Sequence, residues 1–251
     1  MALRSLRSSL SFLTLLPVGR PEYSASSVGW FWFSGAVVAL IDLSVLDGSR
    51  LFMPHIESAV VAVLADGIIT RGLHYDAISD FGDGFFAPLP KDKRLLVMDD
   101  SRVGAFGAMG LIAAVLLRIS AVSALSDSQA LVFIPIAMTS RSLMAFALWL
   151  LPSAKKNGFI VYFQYDELGH KRRFPVMTVL LMFFGALLSL GVGYVIFGVR
   201  FFVVELSEIV VFALIMHWSR RSIDGVTGDV LGAGGLVSEI ISLVAATAVL
   251  R

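Results

Sequence analysis

The chain of 251 residues contains no cysteine. That excludes disulfides, thiolate-bound zinc, iron–sulfur clusters and a thiol nucleophile. Charge is scarce too: 16% of residues are Asp, Glu, Lys or Arg, and twenty basic against nineteen acidic side chains leave a formal net charge of +1. A polyanion-binding protein needs a marked basic excess, so nucleic-acid recognition is excluded as the main activity. Only four histidines are present, and no Ser-His-Asp order, Walker loop or His-Glu-x-x-His pattern accompanies them. What the chain does have is apolar. Hydrophobic residues make up 57% and mean hydropathy is +0.84, more than a soluble domain of this length needs to fill a core. The sequence reads as an integral membrane protein.

Seven segments are long and apolar enough to be spanning or deeply embedded helices, at roughly 28–46, 56–70, 103–126, 129–151, 175–197, 200–217 and 235–250. A full crossing takes ~20 residues. The second, sixth and last are short, so each is expected to tilt, to merge with a motif helix or to insert only halfway, and the count is six to eight. The fold expected is therefore all-α, a polytopic membrane bundle of about seven helices in one domain, 1–251, because the connections are too short for a separate soluble unit. Arg4 and Arg7 precede only a short apolar run broken by Thr14 and Pro17, which predicts an amphipathic lead-in on the bilayer surface in place of a cleavable signal. Small residues at Gly185, Ala186, Gly191 and Gly193 predict close helix packing.

Lys and Arg fall unevenly. Three lie in the N-terminal segment, five in loop 71–102, five in loop 152–174 and two in loop 217–230, against Arg50, Arg200 and Arg251 on the other side and Arg118 and Arg141 inside spans. The positive-inside rule places the N-terminus and those loops in the cytoplasm.

One stretch concentrates chemistry. In His74-Tyr75-Asp76-Ala77-Ile78-Ser79-Asp80-Phe81-Gly82-Asp83-Gly84, carboxylates recur at spacings of four and three. At 100° per residue, Asp76, Asp80 and Asp83 fall within about 60° of one another on a helix. Two carboxylates ~5–6 Å apart repel by roughly 3 kcal/mol at an effective dielectric near 20, a penalty that a divalent cation reverses. All-oxygen ligands select Mg²⁺, Mn²⁺ or Ca²⁺ over zinc; the competing account is a solvated acidic helix face. His74 lies opposite this stripe if the helix already includes it, and is then a poor fourth ligand.

Other candidates lie in the basic loops and spans. Asp99-Asp100-Ser101-Arg102-Val103-Gly104 leads into the third span, and a Ser-Arg pair before a glycine-rich helix start resembles an anion site. The neighbouring Lys91-Asp92-Lys93-Arg94 is accounted for by topology alone. The last loop carries Thr227-Gly228-Asp229 among glycines, suited to close approach of a ligand, or serving merely as a hinge. Asp42, Asp66, Arg118 and Arg141 lie within presumed spans, where each costs ~2.5–3.5 kcal/mol at mid-bilayer and needs a partner or water. Ser140-Arg141 is the preferred site member. Arg118 is expected to pair with Asp66 or another acid, Asp42 to be interfacial without a role, and Glu239 to face the cavity of the Thr-Gly-Asp turn. Clustered carboxylates, basic residues and glycine-rich turns on one membrane face point to phosphoryl-type transfer on a diphosphate.

Four stretches together resemble the cobalamin synthase family, the adenosylcobinamide-GDP ribazoletransferases. They are Phe12-Leu13-Thr14-Leu15-Leu16-Pro17-Val18, the segment Gly72–Gly84, Asp100-Ser101-Arg102-Val103-Gly104, and Thr227-Gly228-Asp229-Val230-Leu231-Gly232-Ala233. Their order and spacing agree across essentially the whole chain. Three positions depart: Asp99 stands where the family usually has a basic residue, Asp224 replaces the first glycine of a pair, and Leu236 occupies the place of an expected glutamate. The resemblance implies an enzyme of cobalamin (vitamin B12) biosynthesis. It would join adenosylcobinamide-GDP to α-ribazole or its 5′-phosphate and release GMP, as a multi-pass protein of the bacterial inner membrane with its active face in the cytoplasm. Under that reading Asp76, Asp80 and Asp83 hold Mg²⁺. Ser101, Arg102, Ser140, Arg141, Thr227 and Gly228 bind phosphate or substrate, and Asp229 or His74 is the general base. The expected partners are the two small-molecule substrates and the lipid bilayer, with no nucleic acid, and with a homo-oligomer or a complex with other corrinoid-assembly enzymes as further possibilities. A CDP-alcohol phosphatidyltransferase-like enzyme is the nearest alternative, although its Asp-x-x-Asp-Gly-x-x-Ala-Arg pattern is absent. A transporter with Asp66, Arg118 and Arg141 along its path ranks below it.

Overall fold

The computed structural model describes residues 2–20, 22–165, 170 and 172–250. Thirteen α-helices follow one another: α1 (Ala2–Leu13), α2 (Ala25–Val28), α3 (Phe31–Arg50), α4 (His55–Ile69), α5 (Leu73–Phe86), α6 (Lys91–Met98), α7 (Ala105–Ala124), α8 (Asp127–Ala130), α9 (Phe133–Leu150), α10 (Phe159–Gln164), α11 (Val176–Phe197), α12 (Phe201–Ile223) and α13 (Gly228–Val249). Among the described residues there is no strand; Ser153 and Val226 form an isolated parallel bridge. All seven apolar segments are helical. Five stretches are long and apolar enough to cross a membrane, and one of them, Val176–Ile223 at 48 residues, is α11 and α12 in succession around a 3₁₀ turn. The protein is thus an all-α, multi-pass membrane bundle.

The second apolar segment gives α4, which has 15 residues and is too short for a full crossing. It ends where Arg71 and Gly72 both turn left-handed, at φ 58° and 67°. Such a turn is strained for Arg71, and the strain is offset by its guanidinium, which donates to the carbonyls of Ser11 and Phe12 at 2.7 and 2.8 Å. The chain then resumes as α5. Both helices run antiparallel to α7: Asp66 of α4 meets Arg118 in the second half of α7, and Asp83 of α5 meets Gly104 and Gly107 at its start.

Helices α9 and α13 form the centre, with 78% and 72% of their apolar windows buried, whereas the α11–α12 stretch has 22% buried and presents an apolar outer face. Gly185 faces Trp32 and Gly193 faces Phe201 with no room for a Cβ, as close packing requires, while Gly191 touches nothing. Two apolar clusters make the core. A charged layer divides them: Arg118 falls between Ala114 and Ala121 on α7, Arg141 between Ala137 and Met144 on α9, and Glu239 between Leu236 and Leu243 on α13. Glu205 and Glu208 of α12 are also buried, and Glu205 accepts a hydrogen bond from Thr139 at 2.7 Å.

The basic loops gather at one end of the bundle. Lys155 pairs with Asp99 at 2.6 Å and Lys91 with Asp224 at 2.7 Å. The Phe12 ring meets Phe159, with centroids 5.4 Å apart. Arg50, at the opposite end of α3, pairs with Asp127 at 2.7 Å.

Candidate active site

The site is built where α5 and α13 cross. Helix α5 buries Ala77, Ile78, Phe81 and Phe85, a helical stripe facing the core, which leaves Asp76 and Asp80 to one side. Helix α13 begins at Thr227, whose hydroxyl accepts from the Val230 N–H at 3.2 Å and caps the first turn. Gly232 lies against Ala77 and His74 so closely that a Cβ there would stand 2.8 Å from the Ala77 methyl. That approach brings Asp229, three residues before Gly232, level with Asp80, three residues after Ala77. The acidic motif and the terminal motif, 149 positions apart, therefore meet.

Their charges do not cancel. Burial, then the carboxylates of Asp229 and Asp76, then Asp83, push the Asp80 carboxyl up to about 7, and Lys155 opposes them. Asp76 and Asp229 line one cavity with His74, Leu73, Met144, Leu148 and the aromatic rings of Phe12, Phe31 and Phe159. Asp229 and Gly228 also line a second opening with Thr227, Asp99, Ser153 and Lys155, and Phe159 is common to both. An acidic pole thus sits between an apolar pocket and a polar mouth.

Asp83 does not join that pole. Its two carboxylate oxygens accept from the N–H groups of Gly104 and Gly107 at 2.7 and 2.8 Å, so it caps α7 from a neighbouring helix. Among the described residues no group of three or more His, Asp or Glu side chains is arranged to hold a metal ion. The expected set of Asp76, Asp80 and Asp83 is therefore not assembled, because the free N-terminus of α7 takes the third carboxylate.

The phosphate-binding expectations also divide. Arg141 is buried and forms an ion pair with Glu239; its Nη1 reaches Ser140 Oγ at 3.3 Å and its Nη2 lies 3.4 Å from His74 Nδ1. Its charge is already used, so Ser140-Arg141 forms the wall behind His74. A guanidinium can only donate, so Nδ1 accepts and the imidazole proton rests on Nε2, an atom with no hydrogen-bond partner among the described residues. Arg102 points away from the Asp80–Asp229 pole. It pairs with Asp100 at 2.6 Å and holds that carboxyl down to about 2, in a shallow depression with Asp83 and Gly104. Ser101 is exposed beside it.

Arg118 pairs with Asp66 at 2.8 Å as expected, and Tyr75 Oη lies 3.2 Å away. Asp42 is not interfacial: it is buried, 3.7 Å from Arg118, in the same layer. Sequence reasoning also missed Lys155 and its partner Asp99, since one lysine in a basic loop carries no signal distinguishing it from topology.

A multi-pass helical bundle with an acidic pole at the loop end of a discontinuous pair of short helices defines a membrane-embedded enzyme acting on a charged small molecule. The cobalamin-5-phosphate synthase family matches residues 5–247. An adenosylcobinamide-GDP ribazoletransferase of Chlorobaculum tepidum is 32% identical, covering 97% of this chain and 95% of its own. The ribazoletransferase of Roseiflexus sp. is 30% identical over 95% of this chain and 87% of its own, and that of Clostridium novyi 26% identical over 97% and 96%. No solved structure matches. The chain belongs to the cobalamin-5-phosphate synthase family.

Proposed function

We propose that this chain joins adenosylcobinamide-GDP to α-ribazole or its 5′-phosphate, releasing GMP, in the assembly of cobalamin. Family membership and relatives named for that reaction, matching nearly end to end, support the reading. A ribazole hydroxyl attacks the phosphorus bearing cobinamide. The bond from that phosphorus to the bridging oxygen breaks, GMP departs with the oxygen, and a phosphodiester remains. The observation that carries the site assignment is the meeting of Asp229 with Asp80 across the α5–α13 contact.

Asp229 is the better general base. It stands at the junction of the two openings, whereas His74, with Nδ1 turned to Arg141, offers an N–H at Nε2 in place of a lone pair. His74 therefore donates a hydrogen bond to substrate oxygen, and Arg141 orients it. Asp76 and Asp80 would hold Mg²⁺. A carboxyl pushed up to about 7 by like charges and an all-oxygen donor set both fit a hard divalent cation. Bound there, the ion would offset charge building on the diphosphate and the departing phosphate. Thr227 fixes the first turn of α13, and Gly228, packed against the Phe159 ring, sets the backbone at the mouth. The excess of Lys and Arg at this end supports a cytoplasmic active face and N-terminus, with the bundle in the inner membrane.

The test is GMP release and corrinoid product formation by detergent-purified protein supplied with adenosylcobinamide-GDP and α-ribazole, with and without Mg²⁺. Turnover that requires the metal and falls about 10²–10³-fold in Asp80→Asn is expected. Folded wild-type protein that forms no product would overturn the reading.

A further inference from the structure

Among the described residues one cation stands in the acidic mouth, and none of the four family stretches includes it. Lys155 lies in the turn between α9 and α10, and its side chain is 18% exposed. Its Nζ is 2.6 Å from Asp99 Oδ1 and 3.8 Å from Asp229 Oδ2. The turn is fixed to the loop that carries the terminal motif: the Ala154 N–H donates to Val226 O and the Val226 N–H to Pro152 O, each at 2.9 Å. Ser153 Oγ closes the turn by donating to the Lys155 carbonyl at 2.8 Å. Gly225 packs against Pro152 O and Ala154 N with no space for a Cβ. Lys155 is thereby held in register with Asp229, only a few residues from a backbone bridge.

Its partner is held less firmly. The Asp99 side chain is 59% exposed, and an ion pair with one exposed member is weak and easily exchanged. The ammonium also faces a pole of carboxylates that a diphosphate, itself anionic, cannot enter without positive charge beside it. The two arginines that sequence suggests for this task stand elsewhere, Arg141 buried against Glu239 and Arg102 in a separate depression with Asp83 and Gly104.

We propose that Lys155 binds the phosphate oxygens of the nucleoside diphosphate donor, exchanging its Asp99 ion pair for the substrate. The proposal rests on the transferase reading above and names a substrate-binding residue within it. A lysine ammonium suits this exchange because it is a compact, rotatable point charge at the end of a flexible stem.

Full-length detergent-purified wild type, Lys155→Ala, Lys155→Gln, Lys155→Arg and Asp99→Asn are compared for turnover and for GDP binding, with thermal melting to confirm that each is folded. Lys155→Ala and Lys155→Gln are expected to raise the KM for adenosylcobinamide-GDP and weaken GDP binding by the same factor, about tenfold, with the KM for ribazole unchanged. Lys155→Arg retains most affinity, and Asp99→Asn binds GDP as well as wild type or better. Equal losses in Asp99→Asn and Lys155→Ala would show the pair to be only a tether and overturn the proposal, as would unchanged GDP binding in Lys155→Ala. GDP binding needs no turnover, so a wild type that binds GDP but makes no product fails the transferase reading while still deciding the role of Lys155.

Discussion

The charged layer inside the bundle and the charged cluster at its loop end differ in how far each is neutralised. Inside, Arg118 is shared by Asp66, Asp42 and Glu239 at 2.8, 3.7 and 3.9 Å, and Arg141 closes on Glu239. The cavity that these residues line holds about 20 Å³, room for roughly one water. Such a layer joins α3, α4, α7, α9 and α13 without offering a path, which counts against the transporter alternative. At the loop end Asp76, Asp80 and Asp229 face, among the described residues, the single ammonium of Lys155, and the Asp80 carboxyl is pushed up to about 7. A cluster in which every carboxylate stands against a guanidinium holds a fold together; one in which like charges face each other and open to solvent is completed by a ligand.

The sharpest way to break this comparison is to remove a cation from the inner layer. Arg118→Leu leaves Asp66 and Asp42 buried without the guanidinium they pair with, and removing one partner of a buried pair costs about 3–5 kcal/mol. A large drop in melting temperature and in recoverable protein is expected, with the double variant Arg118→Leu, Asp66→Asn recovering part of it. Asp80→Asn should do the opposite, lowering turnover about 10²–10³-fold while leaving the melting temperature unchanged or higher, because it relieves repulsion. Equal destabilisation by both substitutions would erase the distinction between the two clusters.

Asp83 belongs to neither cluster and sharpens the boundary between them. Its substitution by Ala removes two hydrogen bonds from the start of α7, a loss of about 1–2 kcal/mol. The prediction is a moderate fall in melting temperature, with metal affinity close to wild type in a Mg²⁺ titration of activity. A loss of metal affinity as large as that of Asp80→Asn would return Asp83 to the ligand set.

Much of this was legible in the sequence for a physical reason. Apolar segments of crossing length, and charges that must lie outside them, are constraints set by the bilayer, so the helices and the gathering of the basic loops at one end followed. The Arg118–Asp66 pair followed too, since a buried charge requires a partner. Spacing along one helix was less reliable. It put Asp76, Asp80 and Asp83 on one stripe, but a stripe about 60° wide still lets its last member turn to a neighbouring helix, and the first-turn amides of α7 at Gly104 and Gly107 claimed it. Arg102 and Arg141 are likewise drawn to acids that spacing does not reveal: each found a carboxylate, Asp100 two residues away and Glu239 on another helix. The two acidic departures proved to be paired, Asp99 with Lys155 and Asp224 with Lys91. Contacts between positions so far apart are set by how α9, α12 and the loops pack, which no local pattern records.

The smallest predicted effect concerns protons, and it tests whether the loop-end cluster is unbalanced at all. Asp80 in the folded protein has its carboxyl at about 7 against an ordinary value of 3.8, so between those two values the folded chain binds more protons than the unfolded one. By linkage, stability falls as pH rises through that window and levels off above about 7. Activity should run the other way, because only the ionised carboxylate attracts a cation, so turnover at limiting Mg²⁺ should climb several-fold from pH 6 toward pH 8. Raising Mg²⁺ should move the midpoint of that climb to lower pH and flatten the loss of stability, since the cation competes with the proton for the same oxygens. The measurement is a set of pH profiles of turnover and melting temperature at two Mg²⁺ concentrations, repeated for melting in Asp80→Asn. If the variant shows the same pH dependence of melting as wild type, the protons reside elsewhere, and the pole at Asp80 and Asp229 is balanced after all.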